Sequence, residues 1–353
     1  MQENRFLLYG ANGYTGELIA RYAKEYSLEP VLAGRRQEVL EPLSGRLGLT
    51  FKIIDLDDKQ TLEAELKKVK VVVHAAGPFQ FTAKQMADAC LQTKTHYIDI
   101  NGDIAVFEML REYNAAAKQA GIMILPGAGF DVVPTDCTAL LLKKLVPDAV
   151  SLKLAFASLG GGLSHGTAST MVSKLGDGGN VRKNGKIIHA PLGHKGFWVD
   201  FGKQKLFVMN IPWGDVSTAY YTTGIPDIET YAGVSPVIYR LLKIQPLFNW
   251  VLRTSYTRNF IKKKIDRRPP GPTDEMRSSS GSLIWGQVTN AAGKKATARM
   301  TAPDGYTLTA HSALIITSKI LRGEFVPGYQ TPASAYGEDL ILEVPGTNRE
   351  IVS

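Results

Sequence analysis

The chain has 353 residues, 44% hydrophobic and 21% charged, and a net charge of +8. That length and composition support two packed domains and exclude a disordered chain. The basic balance suits an anionic cofactor or an acidic surface, but no zinc-finger spacing or leading basic helix accompanies it, so nucleic acid is not an expected partner.

The first apolar run, Phe6 to Tyr9, leads into Gly10-Ala11-Asn12-Gly13-Tyr14-Thr15-Gly16 and then a helix-compatible stretch from Glu17 to Tyr26. A glycine-rich turn between a first strand and a first helix offers free backbone N–H groups and a positive helix end to a pyrophosphate. Gly10 would allow the tight turn, Gly13 the close phosphate approach, and Gly16 the packing of helix on strand; Asn12, Tyr14 and Thr15 complete the candidate turn. The next strand, Pro30 to Gly34, ends in Arg35-Arg36, about twenty residues on, where an NAD site usually carries an acid. A guanidinium makes charge-assisted bonds to a 2′-phosphate, so NADP(H) is the expected cofactor. The alternative is a pair of solvated arginines at a strand end.

Further strands are expected at Phe51 to Leu56, Lys70 to Ala75, Thr95 to Ile100 and Ile122 to Pro126, with helices over Gln60 to Lys68, Ala83 to Gln92 and Val106 to Ala120. This predicts an α/β fold with a Rossmann doubly wound parallel sheet over residues 1–136. Strand ends carry the candidate site residues, because ligands of open parallel sheets lie beyond them. Asp55 could accept from an adenine amino group or cap a helix. Ala76, Gly77 and Pro78 would let the cofactor approach the backbone. Tyr97, Asp99 and Asp131 lie near the expected nicotinamide end and, with His165 in a later glycine-rich loop, are the candidate proton donors. Asp99 and Asp131 could equally cap helices, and Tyr97 could simply pack.

Residues 137–310 predict a second α+β domain on a mostly antiparallel sheet for substrate and dimer contacts. Its expected strands are Val150 to Ala157, Leu206 to Ile211, Thr218 to Thr223, Ser282 to Thr289 and Ala296 to Thr301, with a hairpin loop at Asn290 to Lys294. Arg267 to Gly281 reads as a loop and Ala310 to Arg322 as a late helix. Val234 to Lys264 combines large apolar residues with Lys262-Lys263-Lys264 but is interrupted by Arg240, Lys243 and Pro246, so it cannot span a bilayer. It is either a helix packed on the sheet or a peripheral amphipathic element that covers a lipid-like substrate or touches a membrane. Tyr239 and Lys243 match a Tyr-x-x-x-Lys pair but lie far beyond the nucleotide-binding strands, which makes the match a coincidence. No Gly-x-Ser-x-Gly elbow, phosphate-binding Gly-Lys-Ser/Thr loop or His-Glu-x-x-His helix occurs, so hydrolase, kinase and metalloprotease chemistry have no support, and no metal site is expected. Cys90 and Cys137 are too few for a disulfide framework, and strand-like sequence starts close to Met1 without room for a secretory signal; a cytoplasmic protein is expected.

Taken in order, Gly10 to Gly16, Ala33-Gly34-Arg35-Arg36, Ala75 to Phe79, Tyr97-Ile98-Asp99 with Gly102, and Gly129 to Asp136 resemble the successive motifs of the saccharopine dehydrogenase-like NADP-binding family. Gly162 to Ser169, Gly305 to Thr309 and Gly328 to Ala333 are similar to its trans-acting enoyl reductase branch, with His165 standing where that branch tends to have glycine. The resemblance implies a closing segment, residues 311–353, that returns to the nucleotide-binding domain. It also implies an NADPH-dependent reductase of an activated C=C or C=N bond in a lipid-like or other small-molecule substrate. Two alternatives stay open: a non-catalytic NADP(H)-binding redox regulator, and a saccharopine-type amino-acid dehydrogenase. A homodimer is the expected assembly.

Overall fold

The structure is a computed structural model that describes residues 4–173, 176–243, 249–252, 254–265, 267 and 269–352. The chain forms two compact units, Met1–Val133 with Tyr306–Val344, and Pro134–Gly305 with Pro345–Ser353.

The first unit alternates strands and helices: β1 Arg5–Tyr9, α1 Tyr14–Tyr22, β2 Glu29–Gly34, α2 Gln37–Leu47, β3 Phe51–Ile53, α3 Lys59–Leu66, β4 Val71–His74, α4 Phe79–Thr93, β5 His96–Asp99, α5 Ile104–Arg111, α6 Asn114–Ala120 and β6 Met123–Leu125. The second unit runs α7 Val133–Leu145, β7 Ala149–Leu159, α8 His165–Ser173, β8 Gly179–Lys183, β9 Lys186–Ala190, β10 Gly196–Asp200, β11 Lys205–Asn210, α9 Asp215–Thr223 and β12 Asp227–Gly233. It continues through α10 Pro236–Leu242, α11 Asn249–Leu252, α12 Ser255–Ile265, α13 Asp274–Ser278, β13 Gly281–Asn290 and β14 Lys295–Ala302. The chain then gives α14 Gly305–Leu321, β15 Gly328–Tyr329 and α15 Pro332–Tyr336 to the first unit, and ends with β16 Asn348–Ile351 in the second.

The first sheet has the order β15-β6-β5-β4-β1-β2-β3, and every neighbouring pair is parallel. Helices cover both faces of such a sheet, so its central strands are apolar throughout: Phe6 to Tyr9 and Val71 to Val73 are buried. From β1 the chain winds outward through β2 and β3, then returns to the other side of β1 as β4. This reversal opens a crevice at the carboxyl ends of β1 and β4, the place where open α/β sheets take their ligands. The expected doubly wound fold is therefore present, with β15 added beside β6.

The second sheet has the order β10-β11-β12-β7-β13-β14-β16, with the β8-β9 hairpin paired to β12. The β7–β12 pair is parallel and the other pairings are antiparallel. Ala139, Leu142, Leu152, Ala219, Ile228 and Val288 close one core over it. Val199, Val208, Tyr231, Leu283 and Trp285 close another. The Asn290 to Lys294 hairpin loop forms as expected, with the Asn290 side-chain carbonyl accepting the Lys294 N–H at 2.8 Å.

Four expectations need correction. Thr218 to Thr223 is helical, not a strand. The hydroxyls of Thr222 and Thr223 donate back to the carbonyls four residues earlier at 3.1 and 2.6 Å, Val216 and Ala219 are buried, and Gly224 at φ 68° ends the helix. Val106 to Ala120 is two helices, because the N–H groups of Glu112 and Tyr113 bond to carbonyls only three residues back and Tyr113 Oη reaches Asp88 at 2.6 Å. Arg267 to Gly281 contains α13, capped by Thr273 and carrying a buried Arg277 that donates to the Pro272 carbonyl and to Asp274. Val234 to Lys264 divides into α10, α11 and α12, with residues 244–248 outside the described set. Among the described residues no helix is long and apolar enough to cross a membrane.

Candidate functional site

The glycine turn sits at the carboxyl end of β1, inside the crevice that the strand order creates. Gly10 has φ +87°, and a Cβ on it would meet the Ala76 backbone nitrogen at 2.6 Å. A Cβ on Gly16 would lie 2.3 Å from the Gly10 carbonyl oxygen. Both positions therefore need glycine, Gly10 for conformation and close approach, Gly16 so that α1 can start against the turn. Gly13 is different: its φ of −76° suits any residue, and a Cβ would meet only the Gly10 oxygen at 3.3 Å. It is the N-cap of α1 and, having no side chain, offers no cap to the backbone N–H groups of the first turn. Tyr14 is held by an edge-on contact with Tyr306, ring centroids 5.0 Å apart.

Asn12 is exposed, and its side-chain oxygen lies over Gly34, where a Cβ would be 3.2 Å from it. Arg35 and Arg36 follow at the end of β2, both exposed, and the nearest ion pair of Arg36 is a loose 4.0 Å contact with Glu38. Asp55, just past β3, spends one oxygen on the Asp57 N–H at 3.0 Å, while Asp58 caps α3. Tyr9, buried at the end of β1, donates to the Ile54 carbonyl at 3.2 Å. Its phenol is pushed up to about 12, first by burial, with Arg35 pulling it down and Asp55 and Asp57 pushing it up. Glycine turn, arginine pair and Asp55 therefore follow the carboxyl ends of the three neighbouring strands β1, β2 and β3. A tight glycine turn, a helix start without a capping side chain and a cationic rim fit a dinucleotide with an extra phosphate.

On the other side of the switch point Tyr97, Asp99 and Asn101 are buried and closely bonded. Tyr97 donates to Asp99 Oδ2 at 2.6 Å, and Asp99 Oδ1 accepts the Asn101 N–H, the Asn101 side-chain amide and the Gly127 N–H at 3.0, 2.7 and 2.9 Å. Burial raises the Asp99 carboxyl, the four donors oppose that rise, and Tyr97 stays a neutral phenol, held well above its ordinary range by burial. This cluster ties the loop after β5 to the loop after β6. Asp131 lies on that second loop, partly exposed, its Oδ2 pressed on Gly102, where a Cβ would come within 2.3 Å. No hydrogen bond to its carboxyl occurs among the described residues, and burial pushes it up to about 7. The returning α14 fixes this loop: Thr309 Oγ1 accepts the Phe130 N–H at 2.9 Å and Ser312 Oγ donates to the Ala128 carbonyl at 2.7 Å.

The first unit thus gathers Tyr97, Asp99 and Asp131. His165 belongs to the second unit, where it opens α8 and its N–H donates to the Pro270 carbonyl at 2.9 Å. His74, the last residue of β4, was not among the sequence candidates. It is fully buried among Tyr9, Phe79 and Tyr97. Its Nε2 lies 2.9 Å from Thr82 Oγ1, which donates onward to the Ala76 carbonyl at 2.8 Å, so the histidine indirectly clamps the Ala76-Gly77-Pro78 loop. Burial holds it neutral, with a pKa of about 3, and its Nδ1 has no partner among the described residues. A polar residue closing the run Val71-Val72-Val73 was the available signal. The cleft lined by Arg5, Leu7, Val31, Thr50, Phe51 and Lys68 is at the amino ends of the strands, away from these groups. Among the described residues no cluster of three metal-ligating side chains occurs.

Residues 6–125 match the family model described as the saccharopine dehydrogenase NADP binding domain. That match covers about a third of the chain and makes its first unit similar to the NADP-binding domain of saccharopine dehydrogenase. The saccharopine dehydrogenase-like oxidoreductase of Rattus norvegicus is 26% identical over 204 residues, 51% of this chain and 48% of that protein. The trans-acting enoyl reductase of Mycobacterium leprae is 29% identical over 153 residues, 41% of this chain and 37% of that protein. The chain thus matches about half the length of the first relative, and less of the second. The solved structure of apo saccharopine dehydrogenase (L-Glu forming) from Saccharomyces cerevisiae aligns with 99% of this chain and 100% of its own, at a TM-score of 0.68 and 14% identity, a likeness of fold alone.

Proposed function

We propose that the protein is an NADPH-dependent oxidoreductase that reduces an activated C=C bond, as in an enoyl thioester, or a C=N bond of a lipid-like or small-molecule substrate. One observation carries the reading: the glycine cradle against Ala76 and the Arg35-Arg36 pair lie at the carboxyl ends of the neighbouring strands β4, β1 and β2, beside the point where the strand order reverses. The N–H groups at the start of α1 would hold the pyrophosphate, Arg35 and Arg36 the 2′-phosphate, and the Ala76 to Pro78 loop the nicotinamide half. Asp55 retains one oxygen for the adenine edge. When bound, NADPH supplies a hydride.

Reduction also needs a proton, and Asp131 is the group we assign to carry it. A carboxyl raised to about 7 is protonated in about half of the molecules at neutral pH and exchanges its proton readily, whereas an ordinary aspartate is almost wholly ionised. The Tyr97–Asp99–Asn101 cluster acts through position: it fixes the floor of the loop that carries Asp131. The tilt toward enoyl substrates rests on the mycobacterial relative named above.

The test is NADPH oxidation by the purified protein with enoyl thioesters of graded chain length, alongside imines and saccharopine. Turnover of an enoyl or imine substrate that Asp131→Asn lowers by about a hundredfold or more supports the assignment. Steady NADPH binding without turnover across the series contradicts it.

A further inference from the structure

We propose that the exposed faces of α10, α11 and α12 form a docking surface for an anionic phospholipid membrane. Between Glu229 and Asp266 the chain has no acidic residue, yet it carries Arg240, Lys243, Arg253, Arg258, Lys262, Lys263 and Lys264. Those seven account for all but one unit of the net +8, so the rest of the protein is close to neutral.

The three helices also expose several large apolar side chains. On α12, Tyr256, Phe260 and Lys264 follow one another at four-residue spacing along one face; Tyr256 is 82% and Phe260 52% exposed, and the Lys264 ammonium lies 4.8 Å from the Phe260 ring centre. The opposite face, which includes Ile261 and the buried Ile265, packs on α8. Trp250 on α11 is 75% exposed. On α10, Tyr239 turns inward against Phe207 while Val237, Ile238 and Leu241 all face out. A helix with a normal solvent face would carry polar residues where these stand. Exposed aromatic and aliphatic residues flanked by lysines fit the boundary between headgroups and acyl chains, where the rings enter and the ammonium groups stay with the phosphates.

Charge selects among the occupants. A second copy meeting this face symmetrically would set its own cations against these. A nucleic acid would satisfy the lysines and could stack on the aromatic rings, but would leave Val237, Ile238 and Leu241 without an apolar partner. Arg258 is engaged with Asp177 at 2.8 Å and serves the fold.

The test is cosedimentation of the full chain with vesicles of phosphatidylcholine alone or with about one third phosphatidylserine, at low and high salt. The expected result is at least about tenfold stronger partition onto the anionic vesicles, weakened by salt. Two variants should each cut that binding about fivefold or more with unchanged circular dichroism and melting, since the side chains are exposed: Trp250→Ser with Tyr256→Ser and Phe260→Ser, and Lys262→Gln with Lys263→Gln and Lys264→Gln. Equal partition onto both vesicles, or variants that bind like the unaltered chain, would overturn the proposal. So would a single-stranded RNA that displaces the vesicles while keeping its own binding in the aromatic variant, or an aromatic variant that turns a dimer into monomers.

Discussion

Asp131 differs from every other carboxylate of the first unit in having a raised pKa without a bonded partner among the described residues. Its sign in the pH dependence is definite. A carboxyl raised from 3.8 to about 7 stabilises the fold at low pH and costs stability as pH rises through the folded value. Asp131→Asn should therefore leave stability near pH 4 unchanged and increase it at pH 8. The full shift would be about 4 kcal/mol at ~1.4 per unit, and the partial exposure of the residue reduces this to about 1–2. Denaturant titrations at the two pH values check it, and an Asn variant less stable at pH 8 would contradict the assignment. Gly13 gives a complementary test, because its backbone conformation is ordinary while Gly10 and Gly16 cannot accept a Cβ. Gly13→Ala should melt within a few degrees of the unaltered chain yet bind NADPH about tenfold or more weakly, since the added methyl group stands where the phosphates approach. Unchanged affinity by calorimetry would move the phosphates away from this turn.

At the scale of elements, β4 and the start of α4 are coupled through His74, Thr82 and the Ala76 carbonyl. His74 is neutral in the fold, with a pKa near 3, but titrates near 6.5 when unfolded, so its contribution is complete above 6.5 and is lost as pH falls toward 3. His96, pushed down to about 4 by burial while its Nδ1 accepts the Met123 N–H, acts in the same direction. His74→Gln should remove about half of the acid-side slope of stability between pH 6.5 and 4, measured by chemical denaturation; an unchanged slope would mean that the buried histidine is not what the acid limb reports. This coupling was hard to read from the sequence, because a histidine ending a run of valines does not reveal which hydroxyl it meets. The strands themselves were legible: a parallel sheet covered on both faces demands continuous apolar runs, and Phe6 to Tyr9 or Val71 to Val73 can be little else. The Thr218 to Thr223 run was misleading for a physical reason. Threonine and tyrosine favour strands on average, but here the hydroxyls bond back along the helix and Val216 and Ala219 fill a core, so tertiary burial overrides propensity. The placement of Arg35 and Arg36 at the end of β2 was legible from the apolar run before them, whereas the loop held by Thr309 and Ser312 depends on residues about 180 positions away.

For the whole molecule, the second sheet ends in β10, an edge strand on which Trp198 is 55% exposed. An open edge with a large aromatic residue invites pairing with a second copy. Light scattering at micromolar concentration should therefore give a homodimer, and a 38.5 kDa particle would count against it. The crevice at the ends of β1, β2 and β4 should hold NADP(H). Calorimetric titration with NADPH and NADH tests it most directly. The unaltered chain should bind NADPH more tightly by about 2 kcal/mol, the scale of a lost charge-assisted contact, and Arg35→Ala with Arg36→Ala should erase that difference while leaving NADH affinity in place. Equal affinities for the two cofactors in the unaltered chain would contradict it.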